Sequence, residues 1–348
     1  MELSLYSVEE CEKIAQEASL RYVKVSSPGI TRQKHGKGFA YYQPDGVKIN
    51  DRKLLKRLRS LAIPPMYHDV WICPFKNGHI QVTARDKNNK KQYIYHPLWN
   101  KGRRQQKFDV MIEFGKNLQL IRDHINEILS QKIIPTKIQI ICAVIYLLDN
   151  HNIRIGNSLY AKTNQSYGLT TLRKKHLTLK GNSAVFHFKG KSDKLWETIL
   201  EDKKIIRVLK KCEEIPGYEL FKYYDENEAL NVINSQEINF YLQNLTNQPF
   251  TAKFFRTWVA CRETLSRLLA LDKMDENSTA SQTAIIKDVA DLLGHTPSIC
   301  LKSYIDPRII SAWNDQLLPQ WAEKHKKEME NLNNDQLLLL WLEKNYSK

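Results

Sequence analysis

The first part of the chain consists of short segments in which apolar and polar residues alternate, which is the period of a half-buried β-strand. Residues 70–73 and 80–83 flank a turn at 76–78, and residues 92–95 follow a second turn, so two successive hairpins are predicted. Residues 21–25 alternate in the same way and are predicted as a further strand. The pattern up to about residue 98 therefore predicts a small antiparallel β-sheet domain.

Helical spacing of apolar residues occurs once in this first part and dominates the chain after about residue 100. Residues 52–62 carry leucines on one face of a short helix, for which Asn50 is the predicted N-cap. Residues 108–129 carry a long apolar stripe, and Pro135 opens a second helix of the same kind. Residues 285–293 are predicted as a helix that Gly294 ends, and Thr296 and Pro297 are the predicted N-cap and first position of a short helix leading to Tyr304. The later part of the chain is therefore predicted to be mainly helical.

One β-hairpin island interrupts the predicted helices. Residues 177–179 and 185–188 are short apolar segments separated by a glycine turn, and helices are predicted to resume from about residue 195. The fold class is therefore predicted as α+β. The predicted domains are a β-rich domain with one short helix at 1–98 and a mainly helical domain containing the hairpin at 99–348.

Composition indicates a folded and strongly basic protein. Of its 348 residues, 42% are hydrophobic, and 53 Lys and Arg stand against 38 Asp and Glu, a net charge of +15. Residues 1–200 hold 34 basic and 16 acidic side chains, whereas residues 201–348 hold 19 and 22. This asymmetry favours a polyanionic partner, most commonly nucleic acid. Charge that serves only solubility, or a basic face that docks on acidic lipid, is the alternative.

Several functional classes are disfavoured by what the sequence lacks. No apolar stretch approaches the ~20 residues that a membrane-spanning helix needs. The six cysteines are far apart, which fits neither a zinc site nor a disulfide scaffold and indicates reduced thiols in a cytosol. No phosphate-binding glycine loop, dinucleotide fingerprint or zinc-protease motif occurs. A protein of this kind that acts on a nucleic-acid backbone is expected to need no metal, ATP or other cofactor.

Opening a phosphodiester without water requires a side-chain nucleophile, fixed cations for the charged transition state and a proton donor for the leaving oxygen. Five side chains are candidates for these roles: Tyr304, Arg154, Arg256, His295 and Lys191. Each also has an ordinary alternative. The tyrosine could be a core residue, the histidine a helix cap, the lysine an exposed turn residue, and either arginine a partner of a carboxylate. Taken singly, each ordinary role is the commoner one.

In their order along the chain, these residues and their neighbours resemble the compact type IB DNA topoisomerases of poxviruses, giant viruses and some bacteria. Five blocks carry the resemblance, and they are specific as an ordered set although no single block is decisive. They are Gln92-Tyr93-Ile94-Tyr95, Arg154-Ile155-Gly156-Asn157 with Tyr160 and residues 167–172, Phe188-Lys189-Gly190-Lys191, Lys253-Phe254-Phe255-Arg256-Thr257, and Gly294-His295-Thr296-Pro297 with Tyr304.

The resemblance implies a role for each of the five candidate side chains. Tyr304 would attack a phosphodiester and form a 3′-phosphotyrosyl link, while Arg154 and Arg256 would hold the non-bridging oxygens. His295 would donate a further hydrogen bond to one of these oxygens, and Lys191 would protonate the departing 5′ oxygen. The free strand would then swivel and be resealed by the reverse reaction, which relaxes supercoiled DNA without ATP or metal.

The resemblance also implies a duplex DNA interface. Gln92, Tyr93 and Tyr95 would reach base edges in the major groove, and the two domains would hold the duplex from opposite sides. The other predicted DNA-binding residues are Arg85, Lys91, Asn157 and Tyr160. The protein is expected to act as a monomer in the cytoplasm, at a bacterial nucleoid, or in a virion or viral factory if it is viral.

Two other functions stay open at this point. A tyrosine recombinase uses the same nucleophile and similar cations, but it typically carries H-x-x-R where this chain has Lys253-Phe254-Phe255-Arg256. A non-enzymatic basic protein that holds DNA would explain the charge, but it would make the order of the five residues a coincidence. Relaxation of a supercoiled plasmid separates the topoisomerase from both alternatives.

Overall fold

The computed structural model describes residues 8–271 and 278–346, and the chain divides into two compact units, Met1–Phe108 and Asp109–Lys348. The first unit is built on an antiparallel sheet and the second is mainly helical with two small sheets, so the predicted α+β class is confirmed. The domain limit predicted at residue 98 lies in the first turn of a long helix, Pro97–Ser130. The limits of the functional domains stay a prediction.

The first unit contains five strands and two helices that precede the long helix. They are α1 (Val8–Glu17), β1 (Ile30–His35), β2 (Gly38–Tyr42), α2 (Arg52–Ser60), β3 (His68–Ile72), β4 (Ile80–Arg85) and β5 (Lys91–Tyr95). The strand order is β2-β1-β3-β4-β5, and both predicted hairpins are present. Ile30, Ile72, Val82 and Ile94 form a row across the sheet and pack on Leu58 of α2. The hydrophobic core of the first unit therefore lies between this face of the sheet and α2.

The strand predicted at residues 21–25 is wrong. Only Arg21 makes an isolated bridge, to Gly78, and the following residues have no strand partner. The N–H of Val23 instead donates to Nδ1 of the buried His79 at 3.0 Å. A side chain thus satisfies a backbone donor that the alternating pattern had suggested for a sheet.

Two helix predictions in this unit also need correction. Helix α1 occupies a segment that was predicted as mostly strand, and it buries Ile14 and Ala15 on one face. The N-cap of α2 is Asp51 rather than Asn50, since its carboxylate accepts the N–H of Leu54 at 2.6 Å. Both residue types are good N-caps, so the sequence alone did not distinguish them.

The second unit is an assembly of helices around the buried helix α8. The helices are α3 (Pro97–Ser130, which begins in the first unit), α4 (Lys137–His151), α5 (Ser158–Asn164), α6 (Lys203–Glu214), α7 (Ser235–Thr246), α8 (Ala252–Leu269), α9 (Ser278–Leu292), α10 (Pro297–Ser303), α11 (Pro307–Asn314), α12 (Leu317–Lys324), α13 (Lys326–Met329) and α14 (Asn334–Tyr346). Helices α4, α9 and α14 all pack against α8. No helix within the described ranges is long and apolar enough to cross a membrane.

The predicted hairpin island is present but larger than expected. Its strands are β6 (Leu177–Lys180), β7 (Ser183–Lys189) and β8 (Leu195–Leu200), and a separate hairpin joins β9 (Lys222–Tyr224) to β10 (Leu230–Val232). The helix predicted from residue 195 is wrong, because this segment is the strand β8 and α6 begins only at Lys203. Burial alternates along β8, and Ile199 pairs with Val185 of β7. The alternation is that of a β-strand with one covered face, and the strand order β6-β7-β8 places β8 at one edge of this sheet.

The helices that surround the candidate site begin and end largely as their caps predict. Thr296 is the N-cap of α10, with Pro297 in its first position. Gly294 follows α9 with φ +62°, the left-handed conformation expected of a glycine after a helix end. Helix α9 begins at Ser278, before the predicted start at residue 285.

Candidate active site

Arg154 lies in the loop between α4 and α5, and the backbone of this loop is tightly held. The N–H of Leu169 donates to the carbonyl of Arg154 at 2.8 Å. Gly156 has φ +97°, and a Cβ on it would lie only 3.0 Å from the carbonyl carbon of Gly168. The close approach of the two segments therefore requires glycine at this position. A fixed backbone gives the arginine side chain a defined starting point.

Lys191 follows β7 in the tight turn that leads to β8. The N–H of Gly190 donates to the carbonyl of Lys194 at 2.8 Å and closes this turn. The N–H of Tyr167 donates to the carbonyl of Lys189 at 2.8 Å, which ties the hairpin to the segment that holds the Arg154 loop. The Lys191 side chain itself is exposed. Its base is thus anchored while its ammonium group remains accessible.

Arg256 lies in the second turn of α8 and is only 4% exposed. Its Nη1 donates to the carbonyl of Asn152, and its Nη2 donates to the carbonyl of Leu293. The same Nη2 lies 2.9 Å from Nε2 of His295. The guanidinium thus joins the end of α4 to the end of α9, and its planar fork sets the geometry between them.

His295 is the residue at which three of the other candidates, Arg154, Arg256 and Tyr304, meet. Its Nδ1 lies 3.3 Å from Nη2 of Arg154, which also donates to the carbonyl of Gly294 at 2.8 Å. Its ring lies against that of Tyr304, with centroids 4.2 Å apart. The Arg256 guanidinium carbon lies 5.8 Å from the centroid of the same tyrosine ring. Four residues that are far apart in sequence are therefore brought together in one cluster.

The cluster is strongly electropositive. Burial, followed by the charges of Arg256, Arg154, Lys191 and Lys194, lowers the pKa of His295 to about 3. His295 is therefore neutral at pH 7 and carries a single N–H. Burial, followed by the charge of Arg154, lowers the pKa of Arg256 to about 10, so this side chain remains a cation at neutral pH. Burial also lowers the pKa of Arg154.

The two arginines have unused capacity to bind an anion. Across residues 8–271 and 278–346, neither of them bonds to a carboxylate. Nη1 of Arg154 and Nε of Arg256 are buried and find no hydrogen-bond partner among the residues that the structure describes. Buried donors of this kind are costly unless they are satisfied. Two adjacent guanidinium groups beside a phenol make a suitable site for a phosphate group.

The contacts of His295 also indicate a site that binds an anion. Both of its ring nitrogens face an arginine donor, although a neutral imidazole has only one acceptor nitrogen. At one nitrogen, an N–H must therefore face another N–H. An anion that accepts from this pair would remove the conflict.

Tyr304 follows α10 as its C-terminal cap residue, and its backbone is held by a thiol. The Sγ of Cys261 on α8 donates to the carbonyl of Tyr304 at 3.4 Å and accepts the N–H of Asp306 at 3.3 Å. Cys261 was not among the residues predicted from sequence. A buried cysteine on an apolar helical stripe gives no signal that its sulfur contacts a distant backbone.

The predicted DNA-binding residues of the first unit do not share one face of the sheet. Tyr93 and Tyr95 are 48% and 36% exposed, their rings stack at 6.0 Å, and Lys91 Nζ lies 5.6 Å from the Tyr93 ring centroid. Gln92 points to the other face and donates to Asp86 at 2.7 Å. Side chains alternate along a strand, so Gln92 cannot share the face of its two tyrosine neighbours.

The three remaining DNA-binding candidates lie at the end of β4 and at the start of α5. Arg85 donates to the carbonyl of Asn89 at 3.0 Å. Asn157 is the N-cap of α5 and accepts the N–H groups of Leu159 and Tyr160 at 3.0 and 3.2 Å. Asn157 and Tyr160 are both exposed. In the parts of the chain that the structure describes, no group of three or more His, Cys, Asp or Glu side chains is arranged to hold a metal ion.

Two family models match this chain. Residues 98–332 match the model described as eukaryotic DNA topoisomerase I, catalytic core. Residues 38–86 match the model described as bacterial DNA topoisomerase IB, N-terminal domain. The first match covers Arg154, Lys191, Arg256, His295 and Tyr304, and the second ends just before β5.

Viral proteins are similar to this chain over most of its length. The DNA topoisomerase 1B of Acanthamoeba polyphaga mimivirus is 28% identical over 316 residues, which cover 86% of this chain and 91% of that protein. The DNA topoisomerase 1 of rabbit fibroma virus is 24% identical over 288 residues, with 76% and 87% covered. The DNA topoisomerase 1B of vaccinia virus is 23% identical over 238 residues, with 67% and 72% covered.

Proposed function

This chain belongs to the type IB DNA topoisomerase family, and we propose that it relaxes supercoiled duplex DNA through a transient covalent link to Tyr304. The observation that carries the proposal is the meeting of Arg154, Arg256 and Tyr304 around His295. Attack on a phosphodiester requires a nucleophile next to fixed cations, because negative charge grows on the non-bridging oxygens. This cluster supplies both within one site.

In the cleavage step, the phenolic oxygen of Tyr304 forms a bond to phosphorus while the bond from phosphorus to the 5′ oxygen breaks. The phenolic proton leaves to solvent, and the 5′ oxygen takes a proton from Lys191. Arg154 and Arg256 hold the non-bridging oxygens, and His295 donates its single N–H to one of them. A proton donor at such a leaving group contributes about 10²- to 10⁴-fold to the rate.

Cleavage leaves a nicked duplex whose 3′ end is linked to Tyr304, and this state allows relaxation. The DNA downstream of the break rotates about the intact strand, which releases superhelical strain. The 5′ hydroxyl then attacks the phosphotyrosyl ester, which restores the phosphodiester and frees Tyr304. The ester conserves the free energy of the broken bond, so we propose that the reaction needs no ATP. The arginines supply the positive charge at the phosphate, so we also propose that it needs no metal ion.

We propose that duplex DNA is bound by residues of both units, most of them exposed. In the first unit, Tyr93, Tyr95 and Lys91 offer aromatic faces and a cation along one strand, a combination suited to bases and backbone in a groove. The proposed interface also includes Gln92, Arg85, Asn157 and Tyr160. We further propose that a single copy of the chain is the active form.

Plasmid relaxation tests the proposed function directly. The protein should relax a negatively supercoiled plasmid in EDTA without ATP, and denaturation during the reaction should trap protein on the 3′ side of a nick. Tyr304→Phe should lose both activities, by at least about 10³-fold, because no other group in the site replaces the nucleophile. Tyr224→Phe, which alters an exposed tyrosine of β9, is the matched control and should relax DNA as the wild type does.

The same experiment can contradict the proposal in two ways. Relaxation by Tyr304→Phe at the wild-type rate would exclude this residue as the nucleophile. Strand exchange between two duplexes without relaxation would instead identify a recombinase. Peptide mapping of the trapped adduct would confirm the modified residue.

A further inference from the structure

Trp196 on β8 lies against the two glycines that precede Lys191 and His295. A Cβ on Gly190 would lie 2.6 Å from Cδ1 and 2.7 Å from Nε1 of the indole. A Cβ on Gly294 would lie 2.6 Å from Cζ2 and 3.3 Å from Cε2 of the same indole. These four atoms form one continuous edge of the ring system. A single ring edge therefore contacts the backbone of the lysine turn and the backbone of the histidine turn.

The indole also has an aromatic neighbour within the sheet. Trp196 pairs across the sheet with Phe188 of β7, and the two rings stack nearly parallel, with an interplanar angle of 6° and centroids 6.4 Å apart. A second connection lies nearby, since Lys194 Nζ is 3.5 Å from Asp291 near the end of α9. The indole thus lies between Phe188 of the sheet and the backbone at the end of α9.

The two contacted backbones belong to different parts of the site. The turn after Gly190 carries the proposed proton donor, Lys191. The carbonyl of Gly294 accepts a hydrogen bond from Arg154 at 2.8 Å, and the next residue is His295. The proton donor serves the 5′ oxygen, while Arg154 and His295 serve other oxygens of the same phosphate. The separation of the two turns therefore determines whether all three groups reach one phosphodiester together.

We propose that Trp196 is a positioning residue that sets the distance between Lys191 and the phosphate-binding cluster. This inference rests on the proposed function and assigns Trp196 no contact with DNA. The physical reason is rigidity, because a planar ring with two rotatable bonds keeps a spacing that a flexible side chain would not. Misplacement of a reacting group by about 1 Å is enough to lower a rate by about 10²-fold.

The test compares two DNA substrates that differ in the leaving atom. In one, the scissile phosphate carries the natural 5′ oxygen, and in the other a 5′-bridging sulfur, which leaves as a thiolate and needs no proton donor. Trp196→Ala should cleave the natural substrate about 10- to 100-fold more slowly than the wild type in a single turnover. On the sulfur substrate the deficit should shrink to within about threefold, because only proton donation has been impaired. DNA affinity should be unchanged.

Three further variants make the result specific. Trp321→Ala removes a buried indole of α12 that contacts neither glycine, so any loss of rate should be the same on both substrates. Lys191→Ala calibrates the assay, since loss of the donor itself should be rescued by sulfur. Trp196→Phe keeps an aromatic ring with a shorter edge and should show a smaller deficit with the same dependence on the substrate. It carries the test if Trp196→Ala does not fold.

The outcomes separate this inference from the proposed function. If sulfur does not rescue Lys191→Ala, the general-acid role fails and the inference fails with it. If sulfur rescues Lys191→Ala but the Trp196 variants are equally slow on both substrates, only the positioning role of Trp196 is overturned. Cleavage of the natural substrate by both Trp196 variants at the wild-type rate would overturn it as well.

Discussion

Two guanidinium groups, those of Arg154 and Arg256, face one imidazole, and no carboxylate among the described residues lies between them. Like charges held together under partial burial oppose folding, because neither is neutralised by the protein. Such uncompensated charge is characteristic of sites that bind an anion. The cluster therefore lowers the stability of the folded chain, and the phosphate that we propose as its ligand would neutralise this charge.

A second histidine, outside the cluster around His295, allows the effect of burial on a pKa to be measured. His176 lies against Tyr167, and burial, followed by the charges of Lys175 and Arg173, lowers its pKa to about 4. In the unfolded chain, His176 accepts a proton below about pH 6.5, the ordinary pKa of histidine. In the folded chain, it accepts this proton only at a lower pH, so folding is opposed by protonation between these two values. The resulting stabilisation is complete above about pH 6.5 and declines as the pH falls towards 4.

The prediction is that the free energy of unfolding falls between pH 6.5 and pH 4, and that His176→Asn makes this fall shallower. Urea unfolding at several pH values measures the effect. His35→Asn is the control, because it removes a histidine that is exposed to water in the folded chain. An unchanged slope in His176→Asn would show that His176 is not kept neutral by folding.

At the scale of elements, one carboxylate of α14 joins this helix to side chains of α3 and α8. Asp335 accepts hydrogen bonds from Arg122 at 2.8 Å, from Arg262 at 3.1 Å and from the indole of Trp258 at 2.7 Å. Burial alone would raise the pKa of Asp335, but Arg262 and Arg122 outweigh it and lower the pKa. Helix α14 lies beyond the region matched by the catalytic-core model, which ends at residue 332. It is nevertheless pinned to α8, the helix that carries Arg256.

Asp335→Ala should therefore lower the free energy of unfolding by about 2–4 kcal/mol, because it leaves two arginines and an indole without their shared acceptor. Glu343→Ala is the matched control on the same helix. Its ion pair with Lys116 is exposed and 3.8 Å long, so its loss should cost less than about 0.5 kcal/mol. Chemical denaturation of both variants measures the difference, and equal costs would show that the Asp335 network does not anchor α14.

At the scale of the whole molecule, the basic excess lies within residues 1–200, while the rest of the chain is close to neutral. A cation that contacts a DNA phosphate releases condensed counterions, so its contribution appears in the salt dependence of binding. An exposed cation away from the duplex has no such effect. The salt dependence therefore reports which part of the charge contacts DNA.

The prediction concerns two pairs of cations. Replacing Arg85 and Lys91 together by glutamine should reduce the slope of log affinity against log salt concentration by about 2, one for each lost phosphate contact. Replacing Lys326 and Lys327 by glutamine removes the same charge from an exposed part of α13 and should leave the slope unchanged. Fluorescence anisotropy with a duplex measures both. Equal changes in the two variants would mean that only net charge matters.

Local patterns in the sequence were sufficient for features that a few neighbouring residues determine. The two hairpins of the first unit, the Thr296 and Pro297 start of α10 and the Gly294 end of α9 were all predicted correctly. Each depends on a turn or a cap whose hydrogen bonds are made within a few positions. The order of the five motif blocks could also be read from the sequence, and it indicated the type IB topoisomerase family that the family models match.

Only the tertiary structure determined the features that depend on distant partners. Residues 195–200 form a strand because β7 pairs with them. Residues 21–25 do not form one, because the N–H of Val23 donates to the side chain of His79 instead of to a neighbouring strand. Arg154 and His295 meet across 141 positions, and no local pattern contains that contact. The same holds for the indole between Gly190 and Gly294. Such contacts form only when separate elements pack together, because their stabilisation comes from burial and hydrogen bonds that the isolated segments do not have.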